Sequence, residues 1–373
     1  MSELRILHTA DLHLDSPFEG LPAGKAALRR EEQRELLGKL SALAREEGVD
    51  LVLLAGDLLD SDKSYYETGE ELVRCLAGMP APVFIAPGNH DFYSAKSPWM
   101  RLKLPGNVTV FTENRIQAAE LPRLGACVYG AAFTEKHSGP LLRGFTAEKR
   151  PGVKNILVLH GEVGARGDSP YDPITEADLA ASGMDYAALG HIHKSGGLLR
   201  AGETWYSWPG CPEGRGFDET GEKTVSLVTL TDDGGCALER RCIALRRYET
   251  LNVDVTGADP LLAVHTLLPD DTVRDVYRII FTGETDECPD LQHLSANLSE
   301  LFFELQLRDE TRLRRDLWER AGEDTLRGLF LRRLKKEYDA APDEQARRVI
   351  EQAARWGLAA LDNGEEVVRH DDP

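Results

Sequence analysis

Five short motifs in this 373-residue chain bring carboxylates, an amide and imidazoles into close spacing. They are Asp11-Leu12-His13, Gly56-Asp57, Gly88-Asn89-His90-Asp91, His160-Gly161 and Gly190-His191-Ile192-His193. Carboxylate and amide oxygens together with imidazole nitrogens make a mixed hard-to-borderline ligand set, suited to manganese, iron or zinc more than calcium. In Asp-x-His and His-x-His, an extended backbone places both side chains on one side, because side chains alternate with period two. One such pair arises readily by chance; the full ordered set does not. Glycine flanks four of the five motifs, which lets the backbone turn sharply beside a ligand.

Each motif sits where a predicted strand ends. Residues 4–9, 50–55, 83–86, 128–131, 156–159 and 186–189 read as short, mostly apolar strands. The polar stretches 25–47 and 67–77 read as helices, the first with Leu36, Leu37, Leu40, Leu43 and Ala44 along one face. Strand–helix alternation predicts an α/β layered core with a mostly buried sheet. In such folds, sites form in the crevice outside the carboxyl ends of the strands, where loops aim sequence-distant side chains at one point. After Gly197 the texture changes to hairpins, clearest at 225–230 and 237–245 around Asp232-Asp233-Gly234-Gly235. A small α+β cap is expected from 246 to 289, with a strand at 251–255, a helix at 261–267 and a strand at 273–281. From Asp290 the chain reads as mainly helical, with stripes at Leu326, Phe330, Leu334 and Tyr338 and at Ala346, Ile350 and Ala354. The expected organisation is therefore a catalytic domain over 1–245, a cap over 246–289 and a helical region over 290–373.

Composition narrows the classes. At 42% apolar and 29% charged residues the chain can bury a sizeable core and is not a disordered polymer. A formal net charge of −19 disfavours a general nucleic-acid binder, because phosphates are drawn to Lys and Arg patches. Bound divalent ions would weaken that objection by dominating the local field. The six cysteines are scattered without a two-residue pair, which predicts free thiols rather than a zinc ribbon or disulfide framework. No apolar run is long enough to span a bilayer. Met-Ser-Glu-Leu-Arg leads directly into a strand, with no signal-like segment, so a cytoplasmic location is expected.

On these motifs the chain resembles the calcineurin-like metallophosphoesterase superfamily, whose signature runs D-x-H, G-D, G-N-H-D, H-G and G-H-x-H. The phrases "LHTADLHLDSPF" and "YSWPGCPEGRGFDETGEK" resemble the SbcD-type DNA repair exonucleases, particularly the bacterial YhaO-like branch. The signature covers residues 8–193 and the branch likeness reaches about residue 224. The resemblance implies a layered core of β-sheets flanked by helices, and a phosphodiesterase that cuts DNA. It makes Asp57 the carboxylate shared by two divalent ions, manganese first, with iron, zinc or magnesium as alternatives. Two dications about 3.5 Å apart need anionic charge between them. Asp11, His13 and His193 would complete the first shell, and Asn89, His160 and His191 the second. The ions would generate a hydroxide nucleophile and clamp the phosphate oxygens. His90 would stabilise transition-state charge and protonate the leaving oxygen. Asp60 would orient His90, at a position where archaeal nuclease relatives carry a histidine, and Asp91 would shape the loop. An SbcC-like coiled-coil ATPase docked on the C-terminal helices is the implied partner, with a homodimer as a further assembly.

Plainer readings stand beside these. His8 reads as a packing or hydrogen-bonding residue, and His137, His265, His293 and His370 as ordinary histidines. Trp205, Tyr206 and Trp208 could stack on a base, yet alternate as strand residues do; Trp205 reads as packing, and Tyr206 as packing or substrate binding. Arg215 reads as a phosphate contact or a solvated loop arginine. The basic runs 312–315 and 332–336 read first as solvated helix faces, and second as DNA or partner contacts. Two rival functions remain: a phosphodiesterase or pyrophosphatase for a small nucleotide, and a non-catalytic scaffold protein. The complete ligand set argues against the scaffold.

Overall fold

The computed structural model describes residues 3–61, 64–164, 169–285, 288–313 and 318–363. The chain divides into two compact units. The first comprises Met1–Leu251, Leu268–Ile279 and Ser295–Leu307, and the second Asn252–Leu267, Ile280–Leu294 and Arg308–Pro373.

The first unit is built on two six-stranded sheets. One runs in the order Cys236–Arg241, Val225–Leu230, Leu4–Thr9, Leu51–Leu54, Val83–Ile85, Val108–Val110. Its last four strands are parallel, and Val225–Leu230, the inner strand of the hairpin, runs antiparallel to Leu4–Thr9. The other runs Leu199–Ala201, Thr204–Ser207, Tyr186–Gly190, Lys154–His160, Ala126–Gly130, Gln117–Leu121, with a parallel centre and antiparallel edges.

Period-two alternation sorts these strands' side chains into layers. Ile6, Leu51, Leu53 and Phe84 of the first sheet pack with Val128, Ile156, Val158 and Ala188 of the second, which makes the central layer. Leu7, Val52, Leu54 and Ile85 point the other way, onto Leu36, Leu37 and Leu40 of the helix Ala23–Glu46 and Leu72 and Leu76 of the helix Tyr66–Ala77. Leu157, Leu159 and Leu189 leave the second sheet outward, toward Leu179 and Met184. Strands buried on both faces explain why they read as continuous apolar runs rather than alternating ones. The expected layered α/β core is therefore present, with two facing sheets and helices outside.

His8 sits in that central layer and confirms its plainer reading. Its Nε2–H donates to the Leu189 carbonyl (3.1 Å), and its Nδ1 accepts from the Tyr186 hydroxyl (2.8 Å). Tyr186 in turn accepts from Ser207 (2.7 Å), so one polar thread ties the two sheets together. Burial pushes the His8 ring down to about 3, against the pull of the Leu189 carbonyl. Its folded value lies below its unfolded value near 6.5, so this group's contribution is intact above about pH 6.5 and is lost as pH falls toward 3. Within that window the loss is about 1.4 kcal/mol per pH unit for this one group. Urea unfolding of His8→Asn at pH 7 and pH 5 should show a shallower pH dependence than the parent. An unchanged slope would assign the acid sensitivity elsewhere.

Three strands, Tyr248–Asp254, Val276–Thr282 and Glu304–Asp309, make a third sheet. The stretch after Asp290 is thus not helical throughout. Glu304–Asp309 alternates polar and apolar residues (ELQLRD), the period of a strand. In the second unit the helices Leu326–Asp339 and Glu344–Asn363 pack through Phe330, Leu331, Leu334, Ala354 and Leu358. Arg312 lies in the short strand Arg312–Leu313 rather than on a helix; Arg314, Arg315 and His370 lie outside the described residues. Arg332 donates to the Ala321 carbonyl and Arg333 pairs with Glu337, as expected of a solvated helix face. All six cysteines are free. No helix among the described residues is long and apolar enough to cross a membrane.

Candidate metal centre

The five motifs converge beyond the carboxyl ends of parallel strands from both sheets. Asp11 and His13 follow Leu4–Thr9, Asp57 follows Leu51–Leu54, and Asn89 and His90 follow Val83–Ile85. His160 ends Lys154–His160, and His191 and His193 follow Tyr186–Gly190. The loops continue to pair after the strands stop: Asp11 N–H reaches Gly56 O (3.0 Å) and His13 N–H reaches Asp57 O (2.9 Å). Gln33 on the long helix donates to the carbonyls of Leu12 and His13 and pins that loop from outside. Asp91 shapes the loop as expected: its carboxylate accepts from the N–H groups of Gly88 (2.8 Å) and Leu58 (2.9 Å), tying the Asn89 loop to the Asp57 loop.

Four of these residues sit in the left-handed backbone region: Asp11 (φ 54°), His13 (φ 43°), Asp57 (φ 50°) and His191 (φ 88°). That conformation is costly for residues with a Cβ, and its concentration at one place marks a functional site. Two glycines make room. A Cβ on Gly56, itself at φ +88°, would overlap the His160 ring, and one on Gly88 would overlap the Asp57 carboxylate.

The hydrogen bonds settle which ring atoms face inward. His160 donates Nδ1–H to the Ala55 carbonyl (2.9 Å), so Nε2 points at Asn89 Oδ1 (3.0 Å) and Asp57 Oδ2 (3.3 Å). His13 directs Nδ1–H at Asp60 Oδ1 (3.1 Å), and His193 directs Nδ1–H at Glu219 Oε1 (2.6 Å). Their Nε2 atoms then face each other at 3.2 Å. Two bare nitrogen lone pairs at that separation, beside Asp11 Oδ1 at 3.8 Å, repel unless a proton or a metal cation lies between them. The same holds where His160 Nε2 meets two oxygens. Burial opposes charge on His160, but the Asp57 and Asp11 carboxylates outweigh it and push the ring up to about 9, a sign that positive charge is wanted there. The donors fit divalent cations.

Ligand atoms within 4.8 Å of one another form three groups among the described residues: Asp11, His13 and His193; Asp11, Asp57 and His160; and His13, Asp57 and His90. Asp57 joins two of them. Its Oδ2 lies 3.3 Å from His160 Nε2 and 3.7 Å from His13 Nε2, so one oxygen stands between the two halves. Its Oδ1 accepts from the His90 N–H (2.9 Å). Burial raises the Asp57 carboxyl, yet His160, His13 and His90 overcome this and hold it well below the usual range. His191 borders the cage: its N–H meets both Asp11 oxygens (3.2 Å) and its ring packs edge-on against His160. Burial first, then the neighbouring His160, pushes His191 down to about 4.

The outer residues depart from expectation. The Asp60 carboxylate does not hold His90. It partners His13, because Asp60 N–H bonds to Leu14 O and turns the side chain that way. His90 is held instead by the Asp60 main-chain carbonyl, 3.0 Å from its Nδ1. Tyr206 does not offer a face to substrate: it is 2% exposed, in the core outside the second sheet, with its hydroxyl directed at Glu176. Trp205 packs from its strand as expected, under Arg200. Arg215 is beside the cage, but its guanidinium already engages Asp60 and Glu219. Glu219 is a site residue that the motifs do not reveal. It lies inside the phrase that carries the branch likeness, but no spacing rule distinguishes it there from other loop carboxylates.

This fold and cage define a phosphoesterase, and the chain belongs to the calcineurin-like phosphoesterase family, which it matches over residues 4–195. Among relatives it is 33% identical over 284 residues to the uncharacterized metallophosphoesterase YhaO of Bacillus subtilis (strain 168), covering 72% of this chain and 68% of the relative. It is 26% identical over 276 residues to the DNA double-strand break repair protein Mre11 of Methanosarcina acetivorans, covering 69% of this chain and 41% of that protein. It is 28% identical over 268 residues to the D component of the nuclease SbcCD of Bacillus subtilis, covering 60% of this chain and 66% of that protein. The likeness to YhaO and to nucleases of the SbcD and Mre11 kind agrees with the resemblance read from the motifs. This chain spans about two fifths of the Mre11 relative's length.

Proposed function

We propose that the chain is a metal-dependent phosphodiesterase that hydrolyses DNA, the nuclease half of a two-component complex. The observation that carries this is the inward-facing set of imidazole Nε2 atoms and carboxylate oxygens joined by Asp57. Asp11, His13, Asp57 and His193 would hold one cation, and Asp57, Asn89, His160 and His191 the other. Two divalent ions so held, manganese first, would polarise the phosphate and supply the nucleophile at neutral pH. The chain's own residues do the rest. Asp57 keeps anionic charge between the two halves. The Asp60 carboxylate fixes the tautomer of His13 and the Glu219 carboxylate that of His193, so both present Nε2 inward. His90, exposed and anchored at Nδ1, has Nε2 available for the scissile phosphate and its leaving oxygen. The relatives named as a double-strand break repair protein and as one component of a nuclease support DNA as substrate and a partner protein.

The net charge of −19 favours a second substrate, a small nucleotide diester, at the same cage. Purified protein refilled with manganese should release nucleotides from linear DNA, alone or with a coiled-coil ATPase of the SbcC kind, and stop on chelation. Robust turnover of a small nucleotide diester with none of DNA under either condition would replace the first reading with the second.

The second unit is the proposed docking region for that ATPase. Leu326, Leu329 and Val349 are 68%, 57% and 63% exposed on its two C-terminal helices. Deleting 343–373 would uncover Phe330 and Leu331, which those helices bury between themselves, so point changes are the cleaner probe. Leu329→Glu with Val349→Glu should leave hydrolysis of a chromogenic diester within about twofold of the parent, since such surface changes alter stability by only about 0.5 kcal/mol. The same pair should weaken capture of the ATPase at least tenfold, read by co-purification and calorimetry. Unchanged capture would move docking elsewhere.

A further inference from the structure

The two carboxylates that hold His13 and His193 are themselves joined by one side chain. Arg215 donates from Nη1 to Asp60 Oδ1 (3.3 Å) and from Nη2 to Glu219 Oε1 (2.6 Å), with Nε near Glu219 Oε2 (3.3 Å). Asp60 Oδ1 is the atom that accepts from His13, and Glu219 Oε1 the atom that accepts from His193. The contacts therefore close a ring: His13, Asp60, Arg215, Glu219, His193, and back through the facing Nε2 pair at 3.2 Å. We propose that Arg215 is a positioning residue, whose guanidinium sets the mutual geometry of His13 and His193 and thereby the strength of the cation site they share. The inference rests on the metal-cage reading above and is independent of DNA as the substrate.

The loop is built to hold Arg215 in place. Cys211 N–H bonds to the His193 carbonyl (3.1 Å), fastening the loop's start to the ligand's own backbone. Arg29, fully buried on the long helix, pairs with Glu213 (2.5 Å) and donates to the Gly214 carbonyl (3.1 Å). The Arg215 N–H itself bonds to Glu219 Oε2 (2.8 Å). The side chain is 19% exposed, and besides the two carboxylates its guanidinium meets His193 Nδ1 (3.0 Å, from Nη2) and Ser16 Oγ (3.5 Å, from Nη1), so it also touches one of the two rings directly.

Charge explains why a cation is needed at that point. Each carboxylate accepts most strongly from an imidazole N–H when it is ionised, and two ionised groups serving one small cage repel each other. A planar fork can bond both at once, whereas an ammonium is a single point charge on a flexible stem. Without the fork, one carboxylate turns away, its histidine loses its fixed tautomer, and the inward Nε2 pair is lost. Changes to residues that orient metal-bound histidines typically weaken metal binding about 10–100-fold.

The test titrates manganese chloride into chelator-stripped full-length protein by calorimetry, with no substrate present, for the parent, R215M, R215K and E219Q. Circular dichroism checks the fold of each. In R215M and E219Q one class of manganese site should weaken about tenfold or more, and the other should match the parent. R215K should fall between the parent and R215M. Parent-like manganese affinity in R215M overturns the proposal, and a raised KM in that variant would then make Arg215 a phosphate contact. Should R215M not fold, R215K decides: parent-like affinity overturns the fork argument, and an intermediate loss supports it. A parent that binds no manganese would instead defeat the cage reading itself.

Discussion

Asp57→Ala is expected to abolish phosphodiester hydrolysis and to lower bound manganese in the same preparation, with the fold kept. The reason is position. Asp57 Oδ2 stands 3.3 Å from His160 Nε2 and 3.7 Å from His13 Nε2, so its removal takes anionic charge from both halves of the cage at once. Asp11 also belongs to two of the groups, those of His193 and of His160, but only Asp57 is in addition grouped with His90. Metal assistance contributes several kcal/mol to such reactions, so hydrolysis should fall by at least about a thousandfold. The fold should survive because Asp57 lies on a loop beyond its strand, and the packed layers are built from the strands themselves. Elemental analysis after stripping and refilling, with a chromogenic diester assay and circular dichroism, checks all three parts. Full activity in manganese would show that Asp57 does not join the two halves.

Much of this arrangement was legible because its determinants are local. Strands such as Lys154–His160 are buried on both faces, so they read as apolar runs bounded by polar loops. The motifs at their ends are compact, each a few residues long. The edge strand Gln117–Leu121 was not legible. Its sequence, QAAEL, contains no β-branched or aromatic residue, and it becomes a strand by pairing with Ala126–Gly130 across a tight turn at Gly125. The role of Asp60 was misplaced for a related reason. Sequence puts it three residues after Asp57, but which group its carboxylate meets depends on Leu14, some 46 residues away, whose carbonyl fixes the Asp60 backbone. Glu219 and Arg215 reach the cage on a loop that is anchored by the long helix's Arg29 and by the Cys211 N–H on the His193 carbonyl, contacts distant in sequence. Tyr206 illustrates the converse: an aromatic at an alternating position was consistent with stacking on a base until pairing with Tyr186–Gly190 placed it on a covered face.

His90→Ala should separate chemistry from metal binding. The His90 ring is anchored by one hydrogen bond, Nδ1 to the Asp60 carbonyl at 3.0 Å, and stands edge-on to His13 with centroids 4.7 Å apart. It is exposed where His13 and His160 are buried and His191 and His193 half-buried, the position a group needs if it is to meet a phosphate. Distance alone would also let it bind metal, since a His90 nitrogen lies within 4.8 Å of ligand atoms of His13 and Asp57. The two roles predict different losses. As a transition-state group, His90 should contribute about 100- to 10,000-fold, or roughly 3–5 kcal/mol, to the rate. Its loss should lower kcat and kcat/KM together, with KM nearly unchanged and manganese content close to the parent's. A nitrophenyl ester, whose leaving oxygen needs little protonation, should suffer less than DNA. Equal impairment on both would keep His90 catalytic but make it an electrostatic stabiliser rather than a proton donor. Loss of manganese would make it a ligand, and a full rate on DNA would leave it a bystander held beside the cage by a single carbonyl.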